Sequence, residues 1–474
     1  MKEPEHAVRD YLYDAVDVLL DDLAAWVRIP SVSADPAHER DVMRSARWLQ
    51  AHLLETGFPE VEEWDTEGVQ AVFAHWPAED PDAPTVLVYS HHDVRAVKDQ
   101  EWQEVAPFAP ALRQGRMYGR GASDAKGQVL AHIWALRAHL ETTGRGAPAV
   151  TLKYLIEGEE EVGSPHLRDL VRAHADRLGA DVVIVSDTML WSLEEAAVCT
   201  GVRGSVGAHL EVRGPRRDVH SGVVSGAAPN PLTEICRLAG LLHDDQWRIT
   251  LPGFYDSVAE PSAEERRDMA EIAFDTDDWL ERTRSRSVQG EAGHSVLERV
   301  WTRPSAEVVT LLGGDPDDPA RGVIPAVASA DITLRLVPDQ RADDVVRQLG
   351  QWVAEHIRDG FEYELATSAT SQDPYLTPAD HPALAALEDA MSRTLQRRAL
   401  RIRNGGGAPA ALLAETVGAP VLFQGTGLPE DHWHDSDEKV EVKALLQGAE
   451  TLARLLEDLP GRLRPGQHRA DGEH

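Results

Sequence analysis

Four short runs of apolar residues constrain the fold of this 474-residue chain more than any other feature. They cover residues 85–89, 151–156, 181–185 and 420–423, and helical patterns such as that of residues 127–142 lie between them. Continuous apolar runs of this length are typical of strands that are buried on both faces of a parallel sheet. The sequence therefore predicts an α/β domain in which helices flank a mostly parallel sheet.

A different pattern begins near Gly201 and ends near residue 370. Here apolar and polar residues alternate, as they do in strands with one buried face, and amphipathic helical patterns accompany them. The alternating segments are residues 206–212, 328–337 and 361–365, and the helical segments are residues 231–242 and 343–357. We therefore expect residues 1–200 and 371–474 to form the α/β domain and residues 201–370 to form an inserted α+β domain.

The composition excludes several classes of protein. The formal net charge of −33 disfavours binding to nucleic acid or to anionic lipid. No apolar run approaches the ~20 residues of a membrane-spanning helix. Cys199 and Cys236 are the only cysteines, which is too few for a disulfide framework or a thiolate metal site. Because the first 20 residues lack the pattern of a secretion signal, the sequence predicts a cytoplasmic protein.

Histidine and acidic residues follow three of the predicted strands directly. His91 and Asp93 follow the first strand, a run of glutamates at 157–161 follows the second, and Asp187 follows the third. Ligands bind beyond the carboxyl ends of strands in open parallel sheets, so these side chains are expected at one rim. Carboxylates clustered in a cleft need a cation, and imidazole with carboxylate suits zinc, with manganese or cobalt as alternatives.

Two further segments add candidate ligands. A glycine-rich turn places Asp124 at the start of a helix, where a carboxylate either caps the helix or binds metal. The segment 431–439 contributes His432 and His434. The signatures of thermolysin-type, serine and cysteine hydrolases are absent from the sequence, and no nucleotide-binding motif is complete. The cluster contains enough ligands for two metal ions, as in two-metal hydrolases of amides or phosphates.

Taken in order, these motifs resemble those of the co-catalytic zinc amidohydrolases. This family includes cytosolic nonspecific dipeptidase, carnosinase, aminoacylase and the acetylornithine deacetylases, and the chain is most similar to the dipeptidase branch. The resemblance rests on YSHHDV (89–94), YGRGASDAKG (118–127), EGEEEVGS (157–164), SDT (186–188), DVHSGV (218–223), VIPAVASADITLRLVP (323–338), RNGGGAP (403–409) and HDSDEK (434–439).

The resemblance implies a role for each residue of the metal site. Two divalent ions per subunit, expected to be zinc, would be held by His91, Asp124, Glu161, Asp187 and His434, with Asp124 bridging the two ions. Asp93 would orient His91. Glu160 would be the general base. The run of three glutamates leaves open a shift by one residue that would involve Glu159, and His432 is the alternative to His434.

The resemblance also implies a substrate site and a homodimer. The inserted domain would act as a lid and dimerisation domain. His220 would reach into the active site of the partner subunit and stabilise the oxyanion, or else it only caps a turn. Arg335 would bind the C-terminal carboxylate of the substrate, or else it forms a structural ion pair. Backbone N–H groups of Asn404, Gly405, Gly406 and Gly407 would assist in binding that carboxylate.

The implied reaction is metal-assisted hydrolysis of the amide bond in dipeptides or short peptides. Dipeptidases of the family often carry an acid at the position of Asn404 and hydroxyl residues at the positions of Gly407 and Gly322. An N-acyl-amino-acid deacylase is therefore the alternative, because these positions face the substrate. A binding protein without catalytic activity is a third interpretation, which the intact set of ligands and Glu160 disfavours.

Overall fold

A computed structural model describes residues 6–65, 70–98, 101–315, 317–318, 321–368 and 370–463 of the chain. The chain divides into two compact units. The first unit comprises Met1–Gly201, Thr377–Ile402 and Leu412–His474, and the second comprises Val202–Leu376 and Arg403–Ala411.

Two segments that the sequence analysis assigned to the first domain, residues 371–376 and 403–411, belong to the second unit. Backbone hydrogen bonds explain this difference. The N–H of Arg203 donates to the carbonyl of Gly406, and Ser205 and Gln372 bond to each other through their main chains. A pattern of apolar residues does not reveal such pairings between distant segments.

Both strands and helices occur along the whole described part of the chain. The strands are β1 (Glu60–Trp64), β2 (Ala71–Trp76), β3 (Thr85–His91), β4 (Ala111–Arg113), β5 (Arg116–Tyr118), β6 (Thr151–Glu157), β7 (Val182–Val185), β8 (Ala197–Val202), β9 (Gly204–Arg213), β10 (Val219–His220), β11 (Ser305–Gly313), β12 (Val323–Ile324), β13 (Val327–Leu336), β14 (Glu362–Thr367), β15 (Tyr375–Leu376), β16 (Leu400–Asn404), β17 (Val421–Phe423) and β18 (Lys439–Glu441). The helices are α1 (Ala7–Asp14), α2 (Val16–Val27), α3 (Glu39–Thr56), α4 (Lys126–Thr143), α5 (Leu167–Ala173), α6 (Ala175–Leu178), α7 (Ser221–Val224), α8 (Pro231–Leu241), α9 (Ala263–Glu271), α10 (Thr276–Arg282), α11 (Val296–Trp301), α12 (Ala342–His356), α13 (Pro382–Leu395), α14 (Ala410–Val417) and α15 (Val442–Asp458).

The first unit is built on a six-stranded sheet in the order β1-β2-β6-β3-β7-β17. Strands β6, β3, β7 and β17 run parallel to their neighbours in this group, whereas β1 and β2 are antiparallel. The four apolar runs of the sequence form these four parallel strands, which confirms the predicted α/β class. The sequence analysis missed β1 and β2. Strand β1 lies at the edge of the sheet, and its residues Glu60, Glu62 and Glu63 are charged.

Helical spacing of apolar residues predicts helices over residues 8–27, 42–54, 127–142 and 382–395 of the first unit, and all four segments are helical, whereas α5, α6, α14 and α15 were not predicted. Helix α4 is buried along most of its length, with Trp134 among its largest fully buried side chains. The single helix expected over residues 8–27 is interrupted at Ala15, whose φ of −95° and ψ of 1° separate α1 from α2. None of the helices in the described ranges has the length and apolarity that crossing a membrane would require.

The second unit contains an antiparallel four-stranded sheet in the order β11-β13-β9-β14. In β9, the side chains of Val206, Ala208, Leu210 and Val212 are buried and alternate with more exposed residues. Helices α8 and α12 pack against this sheet and bury that alternating face. Helices α9 and α11 were not predicted, although capping boxes begun by Ser262 and Ser295 mark their starts.

Candidate active site

Three neighbouring strands of the first unit deliver polar side chains to the same edge of the sheet. Strand β3 ends at His91, β6 ends at Glu157, and Asp187 follows the end of β7. Because β6, β3 and β7 are parallel neighbours, their carboxyl ends meet at one rim. The topology therefore brings these residues together, as the sequence predicted from the strand ends.

Five side chains meet near this rim and form what we call the ligand cluster, composed of His91, Asp124, Glu161, Asp187 and His434. It consists of two groups that share Asp124, and in each group the candidate ligand atoms lie within 4.8 Å of one another. In the first, His91 Nε2 lies 3.3 Å from Asp124 Oδ1 and 3.7 Å from Asp187 Oδ1. In the second, His434 Nε2 lies 3.1 Å from Asp124 Oδ2 and 3.2 Å from Glu161 Oε2. Asp124 thus presents one carboxylate oxygen to each group.

Several buried polar atoms of the ligand cluster have no hydrogen-bond partner among the described residues. Within the described part of the chain, His91 Nε2 and both carboxylate oxygens of Glu161 are buried and make no hydrogen bond. Burial raises the pKa of the Glu161 carboxyl, and the carboxylates of Asp124 and Glu161 raise the pKa of His434 to about 10. Buried atoms of this kind normally have partners. Imidazole and carboxylate donors in this arrangement fit divalent metal ions.

Asp93 connects a cluster histidine to the loop that follows β6. Its Oδ1 lies 3.3 Å from His91 Nδ1, and its Oδ2 accepts a 2.6 Å hydrogen bond from Ser33 Oγ. The same carboxylate accepts hydrogen bonds from the backbone N–H groups of Glu160 (3.3 Å) and Glu161 (3.1 Å). Burial alone would raise the pKa of Asp93, but these partners, His91 first, hold it below its usual value. Asp93 thereby turns Nε2 of His91 toward the cluster.

The last two glutamates of the run, Glu160 and Glu161, lie in a short 3-10 turn (Glu160–Val162) that follows β6. Glu161 belongs to the ligand cluster, whereas Glu159 contacts His166 Nδ1 at 2.9 Å. Burial, followed by the negative charge of Asp187, raises the pKa of the Glu160 carboxyl well above its usual range. Glu160 precedes the cluster residue Glu161 in this turn and belongs to neither ligand group. Since Glu159 contacts His166 instead, the geometry favours the register that uses Glu161 as a ligand.

Asp124 is held in place by a residue that the sequence analysis did not single out. The fully buried carboxylate of Glu438 accepts hydrogen bonds from the backbone N–H groups of Gly121 (3.1 Å), Ser123 (2.9 Å) and Asp124 (3.0 Å). Arg120 Nη1 donates a further bond of 2.6 Å to the same carboxylate. The signal was present in the sequence, because Glu438 lies within the HDSDEK motif.

The two histidines of segment 431–439 have different surroundings. Both histidines are exposed and adopt a left-handed backbone conformation with a φ of 61°. They differ in their contacts, because His434 Nε2 faces the ligand cluster, whereas His432 Nδ1 lies 3.2 Å from the carbonyl oxygen of Ser436. The geometry favours His434 over His432 as a ligand.

In the second unit, Arg335 lies on β13 near residues 404–407, which we call the glycine loop. A side-chain carbon placed on Gly407 would lie 3.8 Å from Arg335 Nη1. Asn404 Oδ1 accepts a 2.8 Å hydrogen bond from the N–H of Gly406, so this N–H already has a partner inside the loop. The structural ion pair considered for Arg335 is absent, since no carboxylate oxygen of a described residue lies within 4 Å of its guanidinium.

His220 is exposed in the second unit and caps the short helix α7. Its Nδ1 accepts a 3.1 Å hydrogen bond from the N–H of Gly222. The neighbouring Asp218 accepts a 3.0 Å bond from the N–H of Ala326, which fixes the loop to the segment before β13. The turn-capping role that the sequence offered for His220 therefore exists, and its imidazole remains accessible.

Comparisons with known proteins agree with this site. The model of Peptidase family M20/M25/M40 matches residues 87–458. The Cys-Gly metallodipeptidase dug1 of Schizosaccharomyces pombe is 28% identical, over 95% of this chain and 98% of that protein. The Beta-Ala-His dipeptidase of Homo sapiens is 27% identical, over 95% of this chain and 92% of that protein.

A solved structure extends the similarity to three dimensions. The M20 family metallo-carboxypeptidase Sso-CP2 from Sulfolobus solfataricus superposes with a TM-score of 0.84, at 25% identity over 93% of this chain and 99% of that one. The matched family segment contains all five residues of the ligand cluster together with Asp93 and Glu160. The chain belongs to Peptidase family M20/M25/M40.

Proposed function

We propose that the protein hydrolyses the amide bond of dipeptides or short peptides with two divalent metal ions and a glutamate general base. The observation that carries this proposal is the pair of ligand groups that share Asp124. The names of the two relatives, both dipeptidases, support the choice of a dipeptide substrate.

The metal ions would be held by the ligand cluster. His91 and Asp187 would hold one ion, Glu161 and His434 the other, and Asp124 would contribute one oxygen to each. Zinc suits this set of imidazole and carboxylate donors, with manganese or cobalt as alternatives. When bound, such ions polarise a carbonyl group and acidify a water molecule.

Glu160 is the residue that moves the proton in this proposal. Its carboxyl lies beside the ligand cluster, where the raised pKa reflects burial and the negative charge of Asp187. Bound cations would reverse that influence and keep Glu160 ionised, ready to accept the proton of the attacking water. Glu160 then passes the proton to the leaving amine. Asp93 holds the backbone of this residue in place through the N–H of Glu160.

Substrate binding is assigned to the second unit. Arg335 would bind the C-terminal carboxylate of the peptide through its planar guanidinium, and the glycine loop would lie against the same group. The free guanidinium of Arg335 supports this role. Asn404 replaces the acid that often accompanies a free substrate amine, so N-acyl-amino acids are the competing substrates.

A homodimer would complete the active site with His220 of the partner subunit. Two observations support it: His220 is exposed, and edge strand β11 exposes the apolar side chains of Val308, Val309, Leu311 and Leu312. An edge strand with exposed apolar residues is suited to pairing with another chain. Glu160→Gln and His220→Ala variants, each inactive alone, should recover activity when mixed and reassembled. A dimer that forms from both variants without any recovery would contradict a shared site.

We further propose a cytoplasmic location. Cys199 and Cys236 form no disulfide bond with each other, which is usual for proteins in a reducing compartment. Fractionation of source cells followed by detection of the native chain would test this.

The main proposal is tested by metal analysis together with a substrate panel. We expect two equivalents of divalent metal per chain, hydrolysis of free dipeptides, and loss of activity with a chelator that metal restores. The panel includes acetyl- and succinyl-amino acids, and faster hydrolysis of these would favour the deacylase. A chain that binds almost no metal and cleaves neither class would be a binding protein.

A further inference from the structure

Two arginines of the second unit, Arg203 and Arg335, are half-buried and have no ion-pair partner among the described residues. We call them the arginine pair. Over the described ranges, no carboxylate oxygen lies within 4 Å of either guanidinium. By contrast, the buried Arg303 of the same unit forms an ion pair with Glu291 at 2.8 Å. Partial burial without a counter-charge is unfavourable for a guanidinium group, so the arginine pair is suited to bind an anion that the described part of the unit does not supply.

The two guanidinium groups are close enough to affect each other. Burial, followed by the positive charge of Arg335, lowers the pKa of Arg203 to about 10. The acid that acts on Arg203 is Glu307, and burial raises the pKa of that carboxyl. Glu307 is therefore an incomplete counter-charge for two cations. The region carries positive charge in a chain whose formal net charge is −33.

Arg203 also fixes the shape of the glycine loop. Its backbone N–H donates to the carbonyl of Gly406, and its Nε donates to the carbonyl of Gly405, both at 2.9 Å. A side-chain carbon on Gly405 would lie 2.8 Å from Val300 Cγ1 and 3.3 Å from Arg203 Nη2, so the loop packs directly on this arginine. With both carbonyl oxygens bound by Arg203, the loop is held at the position where Gly407 approaches Arg335.

We infer that Arg203 is a positioning residue that makes this site selective for ligands with a free carboxylate. Arg203 holds the glycine loop against Arg335 and adds a second positive charge beside it. The inference deepens the proposed function and rests on it for the identity of the anion, which is the C-terminal carboxylate of a peptide. A neutral C-terminal amide gains nothing from the second charge, so the selectivity between the two ligands depends on Arg203.

The test measures binding rather than turnover. The probes are a reduced-amide dipeptide analogue, which cannot be hydrolysed, with either a C-terminal carboxylate or a C-terminal carboxamide. Calorimetry on the metal-loaded protein should give at least about tenfold tighter binding of the carboxylate form, as a charge-assisted contact provides. Arg203→Gln should reduce this ratio to below threefold, mainly by weakening the carboxylate form. Arg203→Lys should give an intermediate ratio, because it keeps the charge and loses the fork that holds Gly405.

Arg237→Gln is the matched control. Arg237 is a partly buried arginine of the same unit, but it is paired with Glu234, and its loss should leave the ratio unchanged. Equal weakening of both probes by Arg203→Gln, or an unchanged ratio, would overturn the inference and leave Arg203 with a structural role. The wild-type protein separates the two proposals. Selective binding without hydrolysis of any peptide would refute only the proposed function, and hydrolysis without selectivity would refute only this inference.

Discussion

The ligand cluster of the first unit and the arginine pair of the second each concentrate an excess of charge, and the two charges have opposite sign. Carboxylates predominate in the first, and guanidinium groups in the second. Other buried charges of the described chain are paired with each other, as Arg120 with Glu438 and Arg454 with Glu450 show. The contrast teaches that places where the chain leaves charge without a partner mark where a bound cation or anion is expected, whereas paired charges support the architecture.

The largest effect is expected from Glu160→Gln, which removes the proton acceptor and keeps the size of the side chain. Turnover should fall by about 10²- to 10⁴-fold, the usual contribution of a general base. Metal content should remain that of the wild type, because Glu160 belongs to neither ligand group. Steady-state kinetics and metal analysis measure both quantities.

Glu159→Gln is the control for that variant, since Glu159 contacts His166 instead of the ligand cluster. Its turnover should stay within a few-fold of the wild type. If Glu159→Gln were the more damaging change, the assignment of the base would shift by one residue.

Glu438→Gln tests the paired charges on the other side of the comparison. The variant leaves the charge of Arg120 buried without a counter-charge. It also replaces the carboxylate that accepts the backbone N–H bonds with an amide, so the free energy of unfolding should fall by about 3 kcal/mol. Metal affinity should fall as well, because Asp124 loses its support. Urea unfolding and metal titration measure these effects.

The control for this variant is Glu441→Gln. Glu441 forms a more exposed ion pair with Arg116, and its loss should cost less than about 1 kcal/mol. Equal costs for both variants would mean that burial does not distinguish the two pairs.

His132 is a buried titratable group that forms no ion pair with any described residue and belongs to no proposed ion-binding site, because its imidazole stays neutral. Burial lowers the pKa of His132 to about 3, and its Nε2 makes no hydrogen bond within the described ranges. Below about pH 6.5 the unfolded chain takes up a proton that the folded chain refuses, so stability is lost as the pH falls from 6.5 toward 3. Between pH 7 and pH 5, His132→Leu should remove about 2 kcal/mol of this loss.

Urea unfolding at both pH values measures the difference. The exposed His6→Leu variant serves as the control and should retain the wild-type dependence on pH. If His132→Leu and the wild type lost stability in parallel, the imidazole would already be protonated in the folded protein.

The smallest effect is expected from Arg335→Lys, which keeps the charge of the arginine pair and removes the planar fork. We expect KM for dipeptides to rise by about tenfold, with kcat changed much less, because a point charge replaces a bidentate contact. A fall in kcat with unchanged KM would show that Arg335 acts on the reaction step instead of on binding.

The sequence predicted the first unit more completely than the second. Continuous apolar runs identify β3, β6, β7 and β17 because both faces of these strands are buried, and the residues at their ends then fall at one rim. The resemblance to a known family named Asp124 and His434, whose positions depend on loops that no periodicity describes. Strand β1 and helix α9 escaped prediction, because charged residues dominate both segments and leave no clear apolar periodicity.

The HDSDEK motif contains Glu438, but the supporting roles of Glu438 and Arg203 could not be predicted, since both include hydrogen bonds to backbone atoms of distant segments. Glu438 lies more than 300 positions from Asp124 along the chain, and Arg203 lies about 200 from Gly405. A motif identifies residue types, but only coordinates show which carbonyl or N–H group a side chain reaches.

The four contacts of Asp93 have a mechanical consequence. Its carboxylate contacts the imidazole of His91 on one side and accepts hydrogen bonds from the main chain of Glu160 and Glu161 on the other. Asp93 thus connects the end of β3 to the turn after β6, so a displacement of one segment is transmitted to the other. In the proposed mechanism, a change that moves Asp93 would therefore alter metal binding by His91 and the position of the proposed base Glu160 at the same time.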